Sequence, residues 1–87
     1  FNMLWSDESP IEAKEGRLVA IAVSAAIRCE YCIAAQIEFA KKVGATDDEI
    51  KAAIQIAAEI QRFSTLLYGN EFDVETFNKI IGRDNKE

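Results

Sequence analysis

Cys29 and Cys32 are the only thiols in the chain, and they are spaced as CxxC. Two sulfurs at this spacing, at the start of a helix, can form and break a disulfide. The positive end of the helix favours the thiolate, which is the reactive form. Gln36 follows four residues after Cys32, one helical turn further along the same face. Thiol–disulfide chemistry is the first reading these residues support. A second reading is structural, because free cysteine is among the most buried residue types and packs as a small apolar side chain. The chain has no histidine, and two cysteines are too few for a closed zinc site, which needs four ligands. No metal and no cofactor are expected.

Helices must position this pair, since no stretch of the sequence alternates as a strand would. The fold class is all-α. Ser9-Pro10-Ile11-Glu12 reads as a capped helix start, with Pro10 at the first helical position and Glu12 completing a capping box. The first helix is expected from Pro10 to about Ile27. Lys14, Arg17 and Ser24 share a narrow sector of it, and almost everything else after Arg17 is apolar, so it should be buried nearly all round. A second helix is expected from about Cys29 to Val43, closed by Gly44. Its inward face carries Cys29, Cys32, Gln36, Phe39, Ala40 and Val43, while Tyr31 falls on the wet side. Thr46-Asp47-Asp48-Glu49 opens a third helix running to about Tyr68, and Asp73 caps a fourth from Val74 to Ile81, stopped by Gly82. Ile60 is placed off the wet stripe of the third helix, and Phe39, Phe63 and Phe77 are assigned to the core. Gln61 and Ser64 are expected to bond across a helix–helix contact.

Helical neighbours three apart hold their Cβ atoms roughly 5–6 Å apart. A disulfide prefers roughly 3.5–4.5 Å. Bridging therefore requires the helix start to adjust around Cys29, with Cys32 expected at least one turn inside the second helix.

With 87 residues, the chain makes one domain, residues 1–87, with a small core. Residues 1–9 read as an N-terminal arm that packs on a neighbouring helix or subunit, and 83–87 as a flexible charged tail. The chain opens on Phe1, so residues preceding it are expected. Apolar residues make up 49% of the sequence, more than a lone helical unit of this size can hide, and the surplus implies a subunit interface. A net charge of −5 with no dense basic cluster argues against nucleic acid as a partner. The longest apolar run is about ten residues, well short of the roughly 20 that span a bilayer. Cysteine usage does not suggest a secreted, stapled scaffold. No membrane association and a cytoplasmic location are expected.

The stretch RLVAIAVSAAIRCEYCIAAQIEFAKKVGATDDEIKAA resembles the carboxymuconolactone decarboxylase superfamily, and within it the alkylhydroperoxidase D-like (AhpD-like) proteins. An Ala-rich apolar helix leads into CxxC, then another Ala-rich helix, then Gly-Ala-Thr and an acidic helix start. The resemblance implies an AhpD-like helical domain assembled as a homo-oligomer, a trimer or a hexamer. It also implies a catalytic pair in which Cys32 attacks and Cys29 closes the disulfide. In that branch a Glu twelve residues before the first Cys and a His four after the second form a proton relay. Here Arg17 stands at the Glu position and Gln36 at the His position. Gln36 cannot accept a proton at neutral pH, so the sulfurs are kept and the relay is not.

Three functions follow from this reading. The first is a thiol–disulfide oxidoreductase acting on a peroxide, a redox partner protein's disulfide or a lipoyl-type dithiol. Cys29 and Cys32 would be its catalytic residues, with Gln36, Arg17 and Tyr31 in supporting or substrate-binding positions. The second is a decarboxylase-like enzyme holding a carboxylated lactone, with Arg17 on the anion. The third is a catalytically inactive helical oligomerisation module.

Overall fold

The computed structural model describes residues 2–83. They form a single-turn 3-10 helix, Asn2–Trp5, and four α-helices: α1 (Ala13–Ala26), α2 (Glu30–Lys42), α3 (Asp47–Gly69) and α4 (Val74–Ile80). No strand occurs among the described residues, and the all-α expectation holds. None of these helices is long and apolar enough to cross a membrane. Phe1 of the expected arm and residues 84–87 of the expected tail lie outside the described residues.

α1 is the hub, with the N-terminal 3-10 turn, α2 and α3 all packing on it. The core is small. Ile21 and Ala40 are fully buried, joined by Ala45 and Ile50, with Leu18, Ile37 and Ile54 packed around them. Lys14 Nζ meets Glu49 Oε2 at 3.0 Å and ties the start of α1 to the start of α3. Gln61 Nε2 donates to Ala26 O at 3.2 Å, the cross-helix bond expected of it, whereas Ser64 faces solvent.

Local rules account for most helix ends. Thr46 Oγ1 accepts from Glu49 N and Glu49 Oε1 accepts from Thr46 N, which completes the capping box at α3. The Thr46 N–H, followed by the Lys14 ammonium, holds the Glu49 carboxyl below its ordinary value. Asp73 Oδ2 accepts from Thr76 N at α4. All four helices close with the paired hydrogen bonds of a Schellman motif around a residue of positive φ. Glycine fills that position after α2 (Gly44, φ 93°) and α4 (Gly82, φ 83°). After α1 and α3 it is filled by Arg28 (φ 59°) and Glu71 (φ 54°).

Several expectations need correction. α1 starts at Ala13, not Pro10. The Ser9 hydroxyl accepts from Ile11 N at 3.2 Å in a tight turn instead of capping a helix. Glu12 stays extended and offers no side-chain cap. The chain bends here because Trp5 folds back over Gly16 and Arg17 of α1. Nor is α1 buried all round within one chain, since Val19, Val23 and Ile27 each expose more than half their surface. Phe39, Phe63 and Ile60 are likewise exposed, the last by 64%. For Phe63 the reason is geometric. α3 has 23 residues and a length of about 34 Å, against 14 residues in α1 and about 21 Å. Its C-terminal third therefore runs past its partner. The radius of gyration is 16.1 Å, where a compact chain of this length would have about 12 Å.

Candidate functional site

The corner between α1 and α2 is built from three residues, Ile27, Arg28 and Cys29. Arg28 N–H donates to Ala25 O at 3.2 Å and Cys29 N–H to Ser24 O at 3.0 Å, closing α1. Such a closure requires a left-handed residue, and Arg28 adopts it at φ 59°. A side chain there costs roughly 1–2 kcal/mol relative to the ordinary conformation, offset by the carbonyls it lets the chain satisfy. Cys29 is next in line and already belongs to the following helix. It is the N-cap of α2, extended at φ −94° and ψ 103°, and its carbonyl accepts from Ile33 N at 2.9 Å. One cysteine thus ends one helix and begins the next.

Cys32 is the third residue of α2, within its first turn rather than a full turn inside it. Because Cys29 is extended, the two Cα atoms lie 5.2 Å apart and the sulfurs meet as a disulfide. The adjustment expected of the helix start is this placement of Cys29 outside the helix. Cys29 Sγ also accepts a hydrogen bond from Cys32 N at 3.2 Å. Both cysteines are half-buried. Beside Cys29 a hollow of about 290 Å³ opens between Ser24, Ala25, Arg28, Glu30 and Ile33. Cys32 does not line it. Tyr31, between the cysteines, is 84% exposed and reaches outward.

Arg17 and Gln36 come together. Arg17 Nη1 donates to Gln36 Oε1 at 2.9 Å, joining α1 to α2. The guanidinium lies 3.7 Å from the centre of the Trp5 ring and 4.7 Å from that of Phe39. It therefore lies over two aromatic faces, each attracted to the cation, with a third partner in the amide. The spacing in the sequence pairs positions 17 and 36 only through the resemblance, and nothing in it points to Trp5 or Phe39 as their neighbours. Trp5 lies in the arm, outside any helical periodicity, and Phe39 reads as core. The two signals that a sequence could have carried for the corner are equally muted. Ser24 looks like one polar residue on an apolar helix, and Arg28 stands where a glycine would have announced the turn.

The family model for the carboxymuconolactone decarboxylase family matches residues 1–71. A curated relative, "Uncharacterized protein 4 in cox locus" of Paracoccus denitrificans, is 28% identical over 64 residues, which is 74% of this chain and 58% of the relative. The chain thus spans little more than half of that relative's length. No solved structure gives a significant match.

Proposed function

The chain belongs to the carboxymuconolactone decarboxylase family, and from that membership we propose that it works as an AhpD-like thiol–disulfide oxidoreductase through Cys29 and Cys32. The observation that carries the reading is the meeting of the two sulfurs at the head of α2, with a backbone N–H directed at one of them. The reaction is disulfide exchange: an external dithiol gives two electrons and two protons to the Cys29–Cys32 disulfide and leaves as a disulfide, or the reverse. Peroxide reduction is a minor activity in this reading, because no imidazole exists in the chain to remove the thiol proton. A pair that must be reduced again after each turnover suits the reducing cytoplasm.

The test is reversible oxidation of the folded protein. Mild oxidation should yield an intrachain Cys29–Cys32 disulfide by mass mapping, and dithiothreitol should return both thiols. Thiols that stay reduced and unreactive until the protein unfolds would assign the pair to the core instead.

The chain is also proposed to act as a homo-oligomer, a trimer or a hexamer. The support is the apolar surface that one chain leaves open: Val19 and Val23 on α1, Ile27 at its C-cap, and Ile56, Ile60 and Phe63 on α3. Unpartnered apolar surface on this scale favours association. Light scattering at micromolar concentration is expected to give three or six times the chain mass, and a monomer would refute the assembly.

A further inference from the structure

The two sulfurs are not equivalent in this structure, and three observations separate them. The hollow beside the pair is lined by Cys29 and not by Cys32. Cys29 Sγ is the sulfur that accepts the Cys32 N–H. Cys32 instead sits inside the helix, on the face that continues to Gln36 one turn later, and Gln36 is engaged by Arg17. Resting on the oxidoreductase reading above, we propose that Cys29, and not Cys32, is the sulfur that exchanges with substrate, and that the substrate is a small dithiol or its disulfide entering between Ala25, Arg28 and Ile33.

A thiolate of the external dithiol attacks Cys29 Sγ from the hollow. The Cys29–Cys32 bond breaks, its electron pair leaves on Cys32, and Cys32 takes a proton from solvent. The substrate is now joined to Cys29 as a mixed disulfide. Its second thiol, having lost its proton to solvent, attacks its own sulfur in that mixed disulfide and expels Cys29 as a thiolate. The substrate departs oxidised by two electrons, and the protein holds two reduced sulfurs. The Cys32 N–H matters in the second step, because a hydrogen bond to the departing thiolate stabilises it and a stabilised thiolate leaves faster. Run in reverse, the same geometry makes Cys29 the nucleophile toward an external disulfide. Arg28 and Glu30 flank the hollow with opposite charges, so neither a cationic nor an anionic dithiol is favoured, and its apolar wall at Ala25 and Ile33 suits an alkyl-chain dithiol.

The experiment uses the reduced wild-type protein at pH 7, treated briefly with limiting iodoacetamide and mapped by peptide mass. Modification of Cys29 is expected to exceed that of Cys32 on the order of tenfold, the ratio that one unit of difference in thiol pKa produces. Equal modification, or Cys32 ahead, overturns the assignment. Glutathione disulfide gives an independent readout on the single-cysteine chains. Cys32→Ser should form its glutathione adduct about tenfold faster than Cys29→Ser, and the opposite order overturns the proposal even if one variant is less stable. The oxidation and reduction cycle is run on the same wild-type sample. If the cycle fails, the oxidoreductase reading falls; if it succeeds while Cys32 reacts first, only the polarity of the pair is wrong.

Discussion

A chain carrying Arg17→Glu and Gln36→His together is expected to reduce peroxide at pH 7 about a hundredfold faster than the wild type, and more than the two single changes combined. A general base contributes about 10²–10⁴-fold when it is in place, and the wild type has none within this pair. Residues 17 and 36 face each other across the α1–α2 contact, with their side chains 2.9 Å apart, so a carboxylate and an imidazole would be neighbours there. Position 36 is one turn from Cys32 on the same face, so the introduced base would act on Cys32 toward peroxide, a reaction separate from the dithiol exchange assigned to Cys29. The gain should be cooperative, because an imidazole without its carboxylate is unoriented and a carboxylate without the imidazole has no proton to pass on. In the wild type neither Arg17 nor Gln36 can take the thiol proton, so its rate should climb with pH, while the double variant should flatten. Stopped-flow peroxide consumption from pH 6 to 9 measures both. A folded double variant with the wild-type profile would falsify the view that these two positions stand where a relay once worked.

Arg17→Ala should be among the most destabilising single changes in the chain, at about 2 kcal/mol. The guanidinium has three partners, in Trp5, Phe39 and Gln36. A cation held over an aromatic face contributes about 0.5–2 kcal/mol according to its exposure, and a hydrogen bond from a charged donor about 1.5–3 kcal/mol. These overlap rather than add. In a domain of this size a loss of about 2 kcal/mol lowers Tm by roughly 8–16 °C. Trp5 is the one tryptophan in the sequence, so its fluorescence follows the arm directly and should shift to the red as the ring loses its partner. Arg17→Lys should recover only part of the loss, since an ammonium cannot lie flat over two rings and still reach the amide. If Arg17→Ala melts within 2 °C of the wild type with unchanged fluorescence, the stack contributes nothing and the arm is held by something else.

What the sequence made legible was what local chemistry decides. The capping box at Thr46, the N-cap at Asp73 and the left-handed glycines at 44 and 82 mark helix limits because their partners lie within four residues. The cysteine corner was partly legible for the same reason, as CxxC at a helix start. The misplaced start of α1 has the opposite cause. Ser9 and Pro10 carry a good local signal, and a contact from Trp5 to Gly16 and Arg17 overrides it. Phe39 and Phe63 fail in another way. Helical periodicity reports that a face is apolar but not what covers it: Phe63 lies where α3 outruns α1, and Phe39 faces the Arg17 guanidinium instead of the core. Arg28 was silent because its backbone geometry is one that a sequence normally advertises with glycine. The pairing of Arg17 with Gln36 was visible only as two substitutions at positions that belong together, and not as a bond.

The double duty of Cys29 has a consequence for how this chain can vary. Ser24, Ala25, Arg28 and Cys29 close one helix, and Cys29, Cys32 and Ile33 open the next, with no spare residue between the two sets. Elsewhere a loop absorbs insertions and deletions at small entropic cost. Here a single added or lost residue would turn everything after it by about 100° on the helix, carrying Gln36 away from Arg17 and Ala40 out of the core in the same step. The linker is inextensible. Length variation in related chains should therefore collect between α3 and α4, where α4 packs only weakly on the rest of the described residues, and stop at the cysteine corner.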